Sequence, residues 1–130
     1  MLVNLAVWLM LAHWFGDFVL QPHRVATTKW RSLWSLSVHV LIYWLTLAVL
    51  VPFGLLFNYV DSKPFFEVMR TAQLIAGANA FLHFAVDFFE SRIVHWFWDR
   101  QDMHNFFVVI GFCQFLHVSL LLATANALMQ

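Results

Sequence analysis

Two histidine and aspartate pairs stand inside apolar stretches of the 130-residue sequence. His13 precedes Asp17 by four residues, and His83 precedes Asp87 by the same distance. A spacing of four places both side chains of a pair on one face of a helix. Neutral imidazole and carboxylate are ligands of zinc and other divalent transition metals. The two pairs therefore predict a metal site at which two helices converge.

The other two apolar stretches carry polar side chains at similar spacing. His39 and Tyr43 are four residues apart, and Gln114 and His117 are three apart. At about 1.5 Å of rise per residue, all of these groups fall in the same half of a bilayer. The predicted metal ligands are His13, Asp17, His39, His83, Asp87 and His117. Asp17, Asp87 and Tyr43 are also predicted to be catalytic, and Gln21 and Gln114 are predicted to support the ligands by hydrogen bonds.

An alternative is that these side chains only hold neighbouring helices together by hydrogen bonds. A carboxylate at the centre of a membrane helix costs about 2.5 to 3.5 kcal/mol on insertion scales, and such residues are functional by default. Four helices that contribute histidine at one depth therefore favour a functional site. The favoured cofactor is a divalent metal ion, with zinc first.

The helices that position these residues are predicted from composition. The chain is 62% hydrophobic and 11% charged, whereas soluble domains are about 45 to 50% apolar and about 25% charged. Crossing a bilayer takes about 20 mainly apolar residues. Four stretches qualify, at residues 2–20, 33–57, 66–89 and 106–129. We predict an all-α polytopic membrane protein, a single four-transmembrane-helix bundle over residues 1–130.

The positions of the basic residues predict the orientation. The connections 21–32 and 90–105 carry five basic residues, which favours the cytoplasmic side for both: Arg24, Lys29, Arg31, Arg92 and Arg100. Both termini are then periplasmic if the membrane is a bacterial inner membrane. Seven Lys plus Arg balance seven Asp plus Glu, so no basic excess indicates a nucleic-acid partner.

The basic residues of connection 21–32 are expected to contact lipid headgroups. The polar residues of the other connection have two interpretations, a solvated interfacial loop or a second metal or headgroup site: Glu90, His95, Asp99, Asp102 and His104. The solvated loop is favoured.

Residues 13–21, His-Trp-Phe-Gly-Asp-Phe-Val-Leu-Gln, resemble a motif of small bacterial and phage membrane proteins known as domain of unknown function 3307. His39 matches the histidine of that family's second helix. Residues 83–87 match its His-Phe-x-x-Asp motif, and residues 114–117 match the end of its Asp-Gln-x-x-His motif. The chain departs at Cys113, where the family usually has aspartate. The resemblance covers nearly the whole chain and implies a membrane protein without an established activity.

Three functions remain open for such a protein. The first is a metal-dependent hydrolase acting on a lipid-linked or membrane-associated substrate, a chemistry also seen, by analogy, in membrane-bound hydrolases with His and Asp in short apolar helices. The second is an ion, proton or metal transport subunit in a homo-oligomer. The third is a non-catalytic phage or bacterial accessory protein. Four histidines could also bind a b-type haem. The sequence lacks the motifs of nucleotide-binding, thiol-redox and serine-hydrolase proteins.

Overall fold

The computed structural model describes residues 2–59 and 63–130, and the regular elements in those two ranges are all helical. Helix α1 covers Leu2–Trp14 and continues into a π-helical segment, Phe15–Val19. The short helix α2 covers His23–Thr28. The long helices are α3 (Leu33–Tyr59), α4 (Phe65–Asp99) and α5 (Met103–Met129).

Three of the described helices are long and apolar enough to cross a membrane. They are Leu33–Asn58 within α3, Phe65–Asp99 and Met103–Met129. The first predicted span, residues 2–20, is divided between the 13 residues of α1 and the five of the π-helical segment. The structure therefore confirms an all-helical, membrane-compatible fold, and the fourth span stays a prediction.

Helix α4 is longer than the sequence predicted. The expected connection at 90–105 is helical as far as Asp99, and only a short turn separates α4 from α5. At the end of α4, the guanidinium of Arg100 donates to the backbone carbonyl of Trp96. The expected interfacial loop is wrong for residues 90–99, because falling hydropathy marks the end of an apolar stretch and not the end of backbone hydrogen bonding.

The bundle interior is apolar in one half and polar in the other. Fully or almost fully buried aliphatic side chains fill the half nearer the chain termini, among them Leu9, Leu47, Val51, Ile75 and Leu121. The outer surface carries many exposed aromatic side chains, such as Phe81 and Phe115. An apolar exterior around a partly polar interior suits a lipid solvent.

The contact between α1 and α3 depends on Gly54. The indole of Trp8 packs against this glycine and donates to the carbonyl oxygen of Leu50 at 2.7 Å. Two residues before Gly54, Pro52 has no N–H to donate to the carbonyl of Ala48, and Gln73 of α4 donates to that carbonyl at 3.0 Å. Both contacts give carbonyls of α3 partners on neighbouring helices.

We expect Gly54→Ala to destabilise the fold by about 1 to 3 kcal/mol, the usual cost of overpacking. A Cβ atom at this position would lie 2.3 Å from Cδ1 of Trp8, so the indole must move. Thermal unfolding in detergent measures the change. Gly111→Ala is the matched control, because a Cβ there meets nothing within 4 Å. Equal melting temperatures for the two variants would contradict this account of the α1 and α3 contact.

Candidate metal centre

Four charged or polar side chains meet in the polar half of the bundle. Helical spacing positions some of them, and a close approach of neighbouring helices positions the others. Asp17 comes from the π-helical segment, His39 from α3, and His83 and Asp87 from successive turns of α4. Gly16 allows the π-helical segment to approach α3, since a Cβ atom there would lie 3.0 Å from the ring of Tyr43. We call Asp17, His39, His83 and Asp87 the four-residue cluster.

The four-residue cluster is compact and closed to solvent. Nε2 of His39 lies 2.9 Å from Nε2 of His83, 3.1 Å from Oδ1 of Asp17 and 3.1 Å from Oδ2 of Asp87. Nε2 of His83 lies 3.5 Å and 3.6 Å from the same two oxygens. None of the four residues is more than 3% exposed.

These separations have the size expected of a tetrahedral ligand set. Zinc binds nitrogen and oxygen at about 2.0 to 2.2 Å, so neighbouring ligand atoms of a tetrahedral site lie about 3.3 to 3.6 Å apart. The two separations from Nε2 of His83 to the carboxylate oxygens, 3.5 and 3.6 Å, fall in this range, and the three from Nε2 of His39, 2.9 to 3.1 Å, are slightly shorter. The arrangement can therefore hold a divalent ion with little movement of the side chains.

Hydrogen bonds alone satisfy this arrangement poorly. A single proton on Nε2 of His39 can be directed at His83, at Asp17 or at Asp87, but all three acceptors lie within 3.1 Å. A cation between the two nitrogens and the two carboxylate oxygens would accept a lone pair from each of them.

A chain of hydrogen bonds fixes Asp17 from behind. The amide of Gln114 donates to Oδ2 of Asp17 at 3.0 Å, so its carbonyl oxygen faces Nε2 of His13, also at 3.0 Å. His13 must then carry its hydrogen on Nε2 and accept at Nδ1 from the hydroxyl of Tyr43, 3.2 Å away. Tyr43, His13 and Gln114 thus orient the carboxylate of Asp17, whose Oδ1 belongs to the four-residue cluster.

Asp87 is held by two further partners. Its Oδ1 lies 3.1 Å from Nε2 of His117 on α5, and its Oδ2 accepts from the ammonium of Lys29 at 2.8 Å. Burial alone would lower the pKa of Lys29, but the carboxylates of Asp87, Glu90 and Asp17 raise it above the ordinary value. Lys29 is therefore a cation that offsets part of the negative charge of the centre.

A pocket of about 470 Å³ opens beside the centre. Asp17 and Lys29 form part of its wall, together with three buried polar atoms that lack hydrogen-bond partners among the described residues: Nε2 of Gln21, Oε2 of Glu90 and Oγ of Ser91. Its other wall is apolar and comes mainly from Phe18, Val94, Trp98, Phe106 and Ile110. The pocket can accommodate a molecule with a polar end and an apolar end.

Comparison with known proteins identifies the chain's family. The sequence profile described as "Protein of unknown function (DUF3307)" matches residues 5–130, nearly the whole chain. The chain belongs to the DUF3307 family. No curated protein and no solved structure matches it. The resemblance seen in the histidine and aspartate motifs is confirmed, and membership of DUF3307 adds no activity.

The structure of this DUF3307 chain brings most of the predicted site residues together in two layers. The inner layer is the four-residue cluster, and the side chains around it are His13, Tyr43, Gln114 and His117. Gln21 lies in the pocket wall, and its amide nitrogen has no hydrogen-bond partner among the described residues. Whether a metal binds these residues, and which of them are catalytic, stays a prediction.

Two residues near the centre are absent from the predicted site. The sequence predicts headgroup contacts for Lys29, but its ammonium reaches into the bundle to Asp87. It predicts a solvated loop for Glu90, which is instead a buried residue of α4. The sequence does contain evidence that Glu90 belongs near the site, because it follows His83 and Asp87 on the same helical face.

Proposed function

We propose that this protein is a membrane-embedded metal-dependent hydrolase that acts on a membrane-associated ester. The observation that carries the proposal is the convergence of two imidazole nitrogens and two carboxylate oxygens at tetrahedral spacing, next to a pocket with polar and apolar walls. Asp17, His39, His83 and Asp87 hold one divalent ion, with zinc as the first choice for this mixed nitrogen and oxygen set.

Hydrolysis adds water across the ester bond of the substrate. A divalent ion supplies the Lewis acid that activates water and polarises the ester. The oxygen of water bonds to the ester's central atom, the bond to the leaving oxygen breaks, and that oxygen takes a proton. Asp17 belongs to the cluster through Oδ1 and also lines the pocket. A water molecule entering from the pocket would add to the four protein ligands, as happens when catalytic zinc expands to five-coordinate, and Oδ2 of Asp17 would accept its proton and return it to the leaving group.

The pocket also favours an amphiphilic substrate. Phe18, Trp98 and Phe106 provide a surface for acyl or prenyl chains, whereas Lys29 and Ser91 provide polar contacts near Asp17. A lipid or lipid-linked molecule in the surrounding bilayer presents this combination of groups.

A transport path receives less support. Thr46 and Asn79, which could extend the polar interior, donate their side-chain hydrogens to carbonyls of their own helices. Beyond them the described interior is aliphatic. A haem between His39 and His83 is also disfavoured, because their Nε2 atoms are only 2.9 Å apart and a porphyrin must fit between axial ligands.

The proposal is tested by metal content and hydrolysis in detergent-purified protein. We expect elemental analysis to find zinc or another divalent ion in the wild type. Asp17→Asn should lose an ion and at least about 100-fold in hydrolysis of fluorogenic phospholipids, acyl esters and phosphate esters. His104→Ala is the matched control, because His104 is exposed at the start of α5.

Two results would overturn the proposal at different points. Absence of a divalent ion from wild-type protein, even after incubation with zinc, manganese or iron(II), would remove the metal centre. A bound ion without hydrolysis of any of the three ester classes would retain the metal centre and remove the hydrolase.

We further propose that the π-helical segment and α1 complete a fourth span, with both termini in the periplasm of a bacterial inner membrane. Five basic residues near this end of the long helices support this orientation: Arg92 lies within α4, and Arg24, Lys29, Arg31 and Arg100 lie between the long helices. Alkaline phosphatase fused after Gln130 should be active, and a cytoplasmic fluorescent reporter at the same position should be dark. The reverse pair of results would contradict the orientation.

A further inference from the structure

We propose that a second divalent ion binds between Asp87, Glu90 and His117, so that the carboxylate of Asp87 bridges two metals. The inference rests on the proposed function, since the first ion is the one held by the four-residue cluster. It adds Glu90 and His117 as ligands of a separate position next to Asp87.

The two oxygens of Asp87 face different groups. Oδ2 points to the four-residue cluster, 3.1 Å from Nε2 of His39, whereas Oδ1 lies 3.1 Å from Nε2 of His117. One ligand atom from each of Asp87, Glu90 and His117 lies within 4.8 Å of the others, and all three residues are buried. With Oδ2 in one group and Oδ1 beside the other, Asp87 can be shared by two metals, which in two-metal sites typically lie about 3.5 to 4 Å apart.

Glu90 provides independent evidence for this second position. It is only 7% exposed, and its Oε2 has no hydrogen-bond partner among the described residues. A buried carboxylate oxygen without a partner loses its hydration without compensation. Because Glu90 also lines the pocket, an ion on Oε2 would satisfy that oxygen and would be accessible from the pocket.

Lys29 is compatible with both ions. A carboxylate has about four lone-pair positions on its two oxygens, so Oδ2 can accept from the Lys29 ammonium and still bind a metal. Lys29 contacts Oδ2 and leaves Oδ1 to the second position.

The test counts ions in the full-length protein. Metal-free protein in detergent is loaded with manganese(II), and bound ions per chain are measured together with the electron paramagnetic resonance spectrum. We expect two ions in the wild type, with a spectrum altered by coupling between them. Glu90→Gln should retain one ion with the spectrum of isolated manganese, and Glu67→Gln, an exposed position on the same helix, should retain two.

The possible results distinguish the second metal position from the metal centre of the proposed function. Two ions in the wild type and one in Glu90→Gln support the bridged centre. A wild-type stoichiometry of one, or two uncoupled ions that persist in Glu90→Gln, overturns it and leaves the first metal centre intact. No bound ion in the wild type refutes both. If Glu90→Gln does not fold, His117→Ala replaces it, with the same loss of one ion expected.

Discussion

Asp87→Asn is expected to remove metal from the entire centre and to abolish hydrolysis. Asparagine has the shape of aspartate but only one oxygen and no charge, so it cannot serve His117 and the four-residue cluster at the same time. Loss of a residue that merely supports a ligand costs about 10 to 100-fold in metal affinity, and loss of the shared ligand should cost at least about 100-fold.

Melting temperatures with and without chelator measure this effect. A ligand present at about 100 times its Kd stabilises the folded state by about 2.7 kcal/mol, so chelator should lower the melting temperature of the wild type and leave Asp87→Asn unchanged. Asp99→Asn, an exposed position near the end of α4, should behave like the wild type. Identical responses to chelator in wild type and Asp87→Asn would refute the metal centre and favour a non-catalytic accessory protein.

Lys29→Met is expected to destabilise the metal-free protein by about 3 to 5 kcal/mol, the usual cost of removing one partner from a buried ion pair. The Lys29 ammonium is the cation 2.8 Å from Oδ2 of Asp87, and its side chain is 16% exposed. In metal-loaded protein an ion also neutralises Asp87, so the loss should be much smaller. The difference between loaded and chelated melting temperatures should therefore be larger in Lys29→Met than in the wild type.

Lys63→Met serves as the control, because Lys63 is exposed and its ammonium contacts the carbonyl of Met129. Both variants lose one positive charge, so a general charge effect would move them equally. Equal destabilisation of Lys29→Met with and without metal would show that the ammonium compensates Asp87 independently of any ion.

The helices and most of the centre could be predicted because both depend on short-range patterns. Apolar stretches long enough to span a bilayer as a helix predicted α3, α4 and α5. The spacing of four residues predicted that His83 and Asp87 lie on one face of α4. The resemblance to the family, which is confirmed over residues 5–130, was recognised from the same residues and spacings. The sequence could therefore indicate which side chains converge without any knowledge of loops.

The rest depends on contacts between distant residues. Lys29 meets Asp87 across 58 positions of sequence, and no local pattern shows that a connection folds back onto the end of a bundle. The stacking of Trp30 on His95, with ring centroids 3.5 Å apart, joins the same connection to the unexpected extension of α4. The connection that carries Lys29 thus packs in part on the extension of α4, which hydropathy could not reveal.

The π-helical segment makes the site sensitive to chain length as well as to side-chain chemistry. Leu20 donates its backbone N–H to the carbonyl of Phe15, five residues earlier, so this turn holds one residue more than an α-helical turn. Deleting one residue here would restore an ordinary turn, in which successive side chains are about 100° apart, a larger angle than in the wider π-helical turn. The direction of Asp17 relative to His13 would then change although neither residue had been replaced. The site therefore depends on the number of residues between Phe15 and Val19 as well as on their identities.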